Sequence, residues 1–247
     1  MAANKPRGRT DRRNRSTPAA QAKPAPPPRR PRETALERRE RSAAIARRLA
    51  ETYPRAECSL DFRSPFQLLV ATILSAQCTD KRVNAVTPGL FQRWPDAAAL
   101  AAARQEEVEG VIRSTGFFRA KARSLLGCSR ALVERHGSAV PRSFADLVRL
   151  PGVGRKTANV VMGAAFGDAT GVVVDTHVGR ISRRLGLTRR ADAVRAERDL
   201  VALLEPDQWI AFSHRLIELG RAVCLARRPR CAGCPLADLC PRVGVRG

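Results

Sequence analysis

The chain has 247 residues, with 45 lysines and arginines against 23 aspartates and glutamates, so its formal net charge is +22. No apolar run is long enough to cross a bilayer and none follows the start methionine, which argues against an integral membrane protein and a secretory signal peptide. We therefore expect the seven cysteines to lie in a reducing compartment without a disulfide framework. A basic protein of this kind is expected to bind a polyanion, most often nucleic acid.

Residues 1–32 differ in composition from the rest of the chain. They contain ten lysines and arginines, one acid and seven prolines, but no Val, Ile, Leu, Phe, Trp or Tyr. Such a segment cannot bury enough apolar surface to fold, so we predict a disordered basic arm. It is either a solvated tail or a non-specific phosphate-binding arm; a transit peptide is disfavoured because Pro24 to Pro31 forbids a continuous amphipathic helix. Residues 33–247 still carry a net charge of +13, so the folded part is basic in its own right.

The folded part is predicted to be all-α. Helix starts are marked by capping residues such as Ser64, and helix ends by residues such as Gly137. A helix from Thr79 or Asp80 is expected to end near Pro88-Gly89. The only β-branched run, 172–174, is too short to build a sheet. The other predicted helices cover 33–53, 66–76, 97–103, 106–113, 118–135, 144–150, 155–166, 176–185, 192–205 and 207–223.

Residues 150–156 form a hairpin between two predicted helices, with the sequence Leu-Pro-Gly-Val-Gly-Arg-Lys. The proline ends the first helix, and two glycines permit a tight turn that leaves backbone amides uncovered. The valine can pack between the helices, while free N–H groups at the start of the second helix can bind a phosphate oxygen. The pattern predicts a helix-hairpin-helix that grips a DNA backbone, with an ordinary turn between helices as the alternative. Its predicted DNA-binding residues are Gly152, Val153, Gly154 and Arg155.

Lys156 stands at the start of the second helix of this hairpin. Its amine can act as a nucleophile in catalysis. It can equally serve as a further cation for binding phosphate. The residues alone leave both interpretations open.

Four of the cysteines lie close together, with the spacing C-x6-C-x2-C-x5-C. Four thiolates at this spacing indicate one centre, either Zn²⁺ or a [4Fe–4S] cluster. The predicted ligands are Cys224, Cys231, Cys234 and Cys240. The loop between the first two ligands carries three arginines, which a metal-bound loop would present to DNA phosphates, with a solvated run of charge as the alternative. These arginines are Arg227, Arg228 and Arg230, and the remaining cysteines, expected to be free thiols, are Cys58, Cys78 and Cys128.

Together these motifs resemble the endonuclease III family of helix-hairpin-helix DNA glycosylases, over roughly residues 33–241. The resemblance implies two α-helical domains flanking a DNA-binding cleft. A six-helix barrel would span 58–168 and end with the hairpin, while 33–57 and 169–247 would build a cluster domain. The resemblance also selects [4Fe–4S] over zinc. Besides the hairpin and the cysteine run, it rests on Leu74-Ser75-Ala76-Gln77-Cys78-Thr79-Asp80, Gly116 to Lys121, Thr157-Ala158-Asn159-Val160 and Val174-Asp175-Thr176-His177.

The resemblance implies base-excision repair, in which oxidised pyrimidines are removed from duplex DNA and the strand is then cleaved. The damaged base is flipped into the cleft, the Lys156 amine displaces it from C1′, and the resulting Schiff base leads to β-elimination. Asp175 is the implied catalytic carboxylate; its alternative is an N-cap of the following helix, and both roles can hold. Gln77 matches the residue that fills the space of the flipped nucleotide. Phe117 stands where the family usually carries an aliphatic wedge, and phenylalanine is a competent intercalating side chain.

Two other functions compete with this interpretation. An adenine-mismatch glycosylase shares the hairpin and the cluster, but typically lacks a lysine at position 156 and adds a C-terminal recognition domain. A non-catalytic, zinc-stapled DNA-binding module would be colourless and indifferent to the loss of Lys156. We therefore expect a monomeric, cytoplasmic, nucleoid-associated enzyme that acts on double-stranded DNA with damaged pyrimidines or abasic sites and binds no membrane.

Overall fold

The computed structural model describes Met1 and residues 33–245, so the predicted basic arm lies, apart from Met1, outside the described residues. The described part contains eleven α-helices and no β-strand, which confirms the all-α class. None of these helices is long and apolar enough to span a membrane. The helices are α1 (Ala35–Thr52), α2 (Pro65–Leu74), α3 (Asp80–Arg93), α4 (Ala97–Ala101), α5 (Gln105–Ile112), α6 (Phe118–His136), α7 (Phe144–Leu147), α8 (Arg155–Phe166), α9 (Thr176–Arg184), α10 (Ala193–Val201) and α11 (Trp209–Ala222).

Local sequence signals fix many of the helix ends. At α1, Thr34 Oγ1 accepts the N–H of Glu37 at 3.2 Å, and the Glu37 carboxylate accepts the N–H of Thr34 at 2.7 Å, which is a capping box. At α2, Ser64 accepts the N–H of Gln67, as predicted for a capping residue. Gly137 adopts φ +55° and terminates α6, also as predicted.

The predicted end of α3 near Pro88 is wrong, because the helix continues to Arg93. A proline inside a helix costs about 3 kcal/mol, since it removes one hydrogen bond and crowds the preceding turn. Val83 before the proline and Leu90 after it are both fully buried. Packing on both sides of Pro88 therefore outweighs the local preference of the chain to break.

Two other helices end three or more residues earlier than predicted, α7 at Leu147 and α10 at Val201. At both places a backbone N–H bonds to the carbonyl three residues back, from Leu150 to Leu147 and from Leu203 to Leu200. This tighter bonding pattern ends the α-helix as the chain turns away.

The buried apolar side chains form two clusters. The first cluster draws on α2 to α8 and runs from Leu60 to Met162. The second combines α1 with residues between Val172 and Leu236. The chain thus passes from one cluster to the other after α8 and before α9, and the domain boundaries given above stay predictions.

Ion pairs join the two clusters at two places. Arg221 of α11 contacts Asp80 at the start of α3, with 2.5 Å between nitrogen and oxygen. The buried carboxylate of Glu197 on α10 accepts hydrogen bonds from Arg155 at 3.1 Å and Asn159 at 2.9 Å, both on α8. These contacts position the starts of α3 and α8 relative to the second cluster.

Candidate active site

An open cleft of about 1710 Å³ is lined by residues that belong to both clusters or flank them. The segment between α2 and α3 and the start of α8 contribute from one side, and α9 and α11 from the other. Three residues singled out in the sequence meet here, namely Gln77, Lys156 and Asp175. The remaining lining residues are Ser59, Ser75, Cys78, Thr79, Asp80, Lys81, Asn84, Thr176, His177 and Arg221.

The hairpin places an accessible amine beside uncapped backbone amides. Gly152 has φ +77°, and a Cβ there would lie 2.6 Å from Ser124 Cβ, so glycine is required. Val153 is buried in the first cluster. Gly154 is the N-cap of α8 and provides no side-chain cap, while Lys156, the second residue of that helix, is exposed. This geometry suits a phosphate oxygen bound next to a free lysine.

Asp175 is held rigidly because it caps α9. Its Oδ1 accepts the N–H of Val178 at 2.8 Å, so the predicted capping interaction is present. The side chain is half-buried and also lines the cleft. One residue therefore both starts the helix and brings a carboxylate to the cleft.

Gln77 and Phe117 share a left-handed backbone, with φ of +52° and +47°. For a residue with a side chain this conformation costs about 1–3 kcal/mol, and it is typical of functional positions. Both side chains are exposed, that of Phe117 by 67%. Gln77 lines the cleft, whereas Phe117 does not.

The side chain of Arg155 contacts two other residues of the protein. Its guanidinium donates to Glu197 at 3.1 Å and lies over the ring of Phe144, 4.9 Å from the ring centre. About half of the side chain is still exposed. A contact from Arg155 to DNA stays a prediction, since the residue also ties α8 to α10.

Sequence reasoning missed two basic residues of the cleft, Lys81 and Arg221. Besides its ion pair with Asp80, Arg221 donates to Ser59 Oγ at 2.8 Å. Both are ordinary basic residues on amphipathic helices, and only tertiary packing turns them towards the cleft. No pattern in the sequence could have separated them from the many other arginines and lysines.

His177 lies beside Asp175, and its ring packs against α11. Burial lowers its pKa below the usual value, an effect that Arg180 and Arg221 reinforce and Asp175 opposes. Arg180 Nη2 lies 3.2 Å from its Nδ1. A Cβ at Gly220 would lie only 2.5 Å from that nitrogen, so α11 packs closely against the ring.

The four cysteines of the C-x6-C-x2-C-x5-C run line a single pocket of about 330 Å³. Among the described residues, no three His, Cys, Asp or Glu side chains are close enough to hold one metal ion. A [4Fe–4S] cluster takes four cysteine thiolates, each on its own iron, and the four thiols that line this pocket match that ligand set. Arg184 donates to Cys224 Sγ at 3.2 Å and the Arg242 N–H to Cys240 Sγ at 3.4 Å, as suits thiolate ligands. The loop arginines Arg227, Arg228 and Arg230 are exposed.

Comparison with known proteins gives two family matches. The HhH-GPD superfamily of base excision DNA repair proteins matches residues 70–206, and the iron–sulfur binding domain of endonuclease III matches residues 224–240. Endonuclease III of Synechocystis sp. is 55% identical over 83% of this chain and 93% of its own length. Endonuclease III of Escherichia coli K12 is 40% identical over 79% of this chain and 92% of its own length.

Two solved structures of endonuclease III with DNA have the same fold. A non-covalent complex has a TM-score of 0.78 at 41% identity and covers 83% of this chain and 95% of that one. A trapped covalent intermediate has a TM-score of 0.79 at 41% identity and covers 83% of this chain and 96% of that one.

The fold and the family matches define a base excision DNA repair protein with a helix-hairpin-helix. The identity extends over most of both chains, and the protein belongs to the endonuclease III family. It is a DNA N-glycosylase with DNA-(apurinic or apyrimidinic site) lyase activity, and its cofactor is a [4Fe–4S] cluster. The predicted family, enzyme class and cofactor are thereby confirmed.

Proposed function

We propose that the protein removes oxidised pyrimidines from duplex DNA, with Lys156 as the nucleophile and Asp175 as the catalytic carboxylate. The observation that carries this proposal is that an exposed amine at the start of α8 and a fixed carboxylate at the start of α9 line one cleft. A nucleotide flipped out of the duplex would enter this cleft. The trapped covalent complex of the endonuclease III relative supports a covalent intermediate.

In the proposed reaction the Lys156 amine attacks C1′ while the bond from C1′ to the base breaks, and the base leaves with the electron pair. The sugar ring opens to give a Schiff base between the lysine and C1′. Loss of a 2′ proton then breaks the bond from C3′ to its phosphate oxygen, which cleaves the strand. Water finally releases the lysine. Asp175 stabilises the positive charge that develops on the sugar as the base departs.

The remaining site residues would hold the DNA. The hairpin at Gly152, Val153 and Gly154 brings the uncapped start of α8 to a phosphate, and Arg155 adds charge beside it. Gln77 fills the space left by the flipped nucleotide, while Phe117 wedges between bases of the opposite strand. We propose that the enzyme acts as a monomer, because Gln77, Lys156 and Asp175 of one chain already meet in one cleft.

The cysteines at 224, 231, 234 and 240 would hold the [4Fe–4S] cluster. When bound, the cluster supplies four iron–sulfur links that fix the segment from Cys224 to Cys240 as one rigid loop. The exposed arginines of that loop would then meet DNA phosphates at a defined position.

Borohydride trapping on duplex DNA that contains thymine glycol tests the proposal. The unaltered enzyme should form a covalent adduct, and Lys156→Gln should form none while it retains most of its affinity for abasic DNA. Lys81→Gln is the matched control, because Lys81 is the only other lysine among the described residues of the cleft; it should trap normally. Trapping by Lys156→Gln would show that another amine is the nucleophile and would refute the assignment.

A further inference from the structure

Lys121 is the only buried lysine or arginine in the part of the chain that the structure describes, with 5% of its surface exposed. Its ammonium donates to the carbonyl oxygens of Leu74 at 2.8 Å and Thr115 at 2.7 Å. Burial lowers the pKa of this group, which reflects the cost of removing an ammonium from water. An apolar side chain of similar volume would fill the same space without that cost, so the charge at this position needs a reason other than packing.

The two carbonyls belong to the segments that lead into the two strained residues. Leu74 is the last residue of α2 and precedes Gln77 by three positions, while Thr115 precedes Phe117 by two. In these two segments, the only glycine with a positive φ is Gly116, at +71°. Gln77 and Phe117 adopt the left-handed conformation without that freedom, so the surrounding structure must hold them there.

Lys121 contacts both segments, and it contacts the second one twice. Its backbone N–H bonds to the carbonyl of Phe117 at 3.0 Å, while its side chain bonds to Thr115 on the other side of Gly116. Its second side-chain bond reaches the carbonyl at the negative end of α2. One lysine therefore links the end of α2 to the turn before α6, which are far apart in sequence.

We propose that Lys121 is a positioning residue that holds the Gln77 and Phe117 segments at a fixed separation, so that both side chains enter the duplex together. The inference rests on the proposed function, because it assumes that Gln77 and Phe117 act on DNA. A methionine at position 121 would leave two buried carbonyls without a donor, and either segment could then relax from its left-handed conformation.

The test is a double-mutant cycle on the full-length, cluster-loaded enzyme. Binding is measured to a duplex with a tetrahydrofuran abasic site, and the fluorescence of 2-aminopurine in the opposite strand reports unstacking. Lys121→Met should weaken binding by about tenfold or more and reduce the fluorescence signal, because hydrogen bonds from a charged donor are lost. In a Gln77→Ala/Phe117→Ala background the same change should cost less than about twofold, since the side chains that it positions are gone.

Two further variants complete the test. Lys121→Arg keeps a cation that can donate to both carbonyls and should restore binding and fluorescence close to the unaltered enzyme. If Lys121→Met does not fold, Lys121→Gln replaces it in the cycle, because its amide can still satisfy one carbonyl.

Equal losses from the Lys121 change in both backgrounds would identify a general structural role and overturn the inference, as would unchanged binding by Lys121→Met. If the double alanine variant itself binds as tightly as the unaltered enzyme, the proposed roles of Gln77 and Phe117 fail, and this inference with them. Trapping through Lys156 is independent of that result, so the two failures can be told apart.

Discussion

The two helix starts that line the cleft differ in their capping. At α8 the cap is Gly154, which offers no side chain, and the following Lys156 is exposed. At α9 the cap is Asp175, which closes the helix end with its own carboxylate and is fixed by a 2.8 Å bond to the N–H of Val178. An uncapped start leaves amides open for a phosphate and an amine free to reach a sugar, whereas a capped start holds a charge still. An accessible amine on one side and a fixed carboxylate on the other are what the proposed roles of the two residues require.

The largest expected effect, on the rate of base excision, follows from removing only the charge of Asp175 at the start of α9. Asparagine caps a helix about as well as aspartate, so Asp175→Asn should change the free energy of unfolding by less than about 0.5 kcal/mol. Base excision should slow by about 100-fold or more, because transition-state charge is no longer stabilised. Cleavage at preformed abasic sites should persist in part, since an aldehyde needs less help than a glycosidic bond.

Asp175→Ala serves as the comparison, because it removes both the charge and the cap. It should match the asparagine variant in excision rate and lose about 1 kcal/mol more stability in denaturant unfolding. Normal excision by Asp175→Asn would leave Asp175 as a helix cap alone.

The next effect concerns the cysteine loop, which Arg184 at the C-terminal end of α9 joins by hydrogen bonds to Cys224, Leu225 and Ala226. Cys231→Ser should lose the yellow-brown colour and the broad visible absorption of the cluster. DNA binding should weaken by about tenfold or more, because the loop arginines are no longer held towards the phosphates. Cys58→Ser is the control, since Cys58 lies outside the cysteine run and should leave colour and affinity unchanged. A colourless unaltered protein with one zinc per chain would contradict the cluster assignment.

The smallest expected effect concerns the two glycines that precede the uncapped start of α8. Gly152→Ala forces an alanine to φ +77° and against Ser124 of α6, which should cost about 1–3 kcal/mol and weaken DNA binding. Gly154→Ala is the matched change two residues later, at φ −91° with no atom within 4 Å of the added Cβ. It should cost less than about 1 kcal/mol in thermal or denaturant unfolding. Equal stability losses at the two glycines would show that the turn does not depend on its left-handed residue.

Sequence alone predicted what depends on local chemistry. Ser64 marked the start of α2 and Gly137 the end of α6, and the hairpin and the cysteine run could be read from short spacings. What failed depends on tertiary packing: α3 runs through Pro88 because Val83 and Leu90 are buried on either side of it.

The same limit applies within the candidate site. Arg155 stacks on Phe144 and pairs with Glu197, a residue 42 positions away, and Lys121 spans two distant segments. No local pattern distinguishes these two basic residues from the other lysines and arginines around them. The family resemblance singled out Gln77, Lys156 and Asp175, which line one cleft, but it did not reveal the contacts that support them.

In the proposed reaction, the exposed amine of Lys156 at the start of α8 forms the bond to DNA. The most direct measurement is to reduce the complex with abasic duplex DNA by borohydride, digest it, and locate the DNA remnant by peptide mass spectrometry. We predict that the remnant is on Lys156 in nearly all of the trapped protein. A remnant on Lys81, or on the amino group of Met1, would contradict the account.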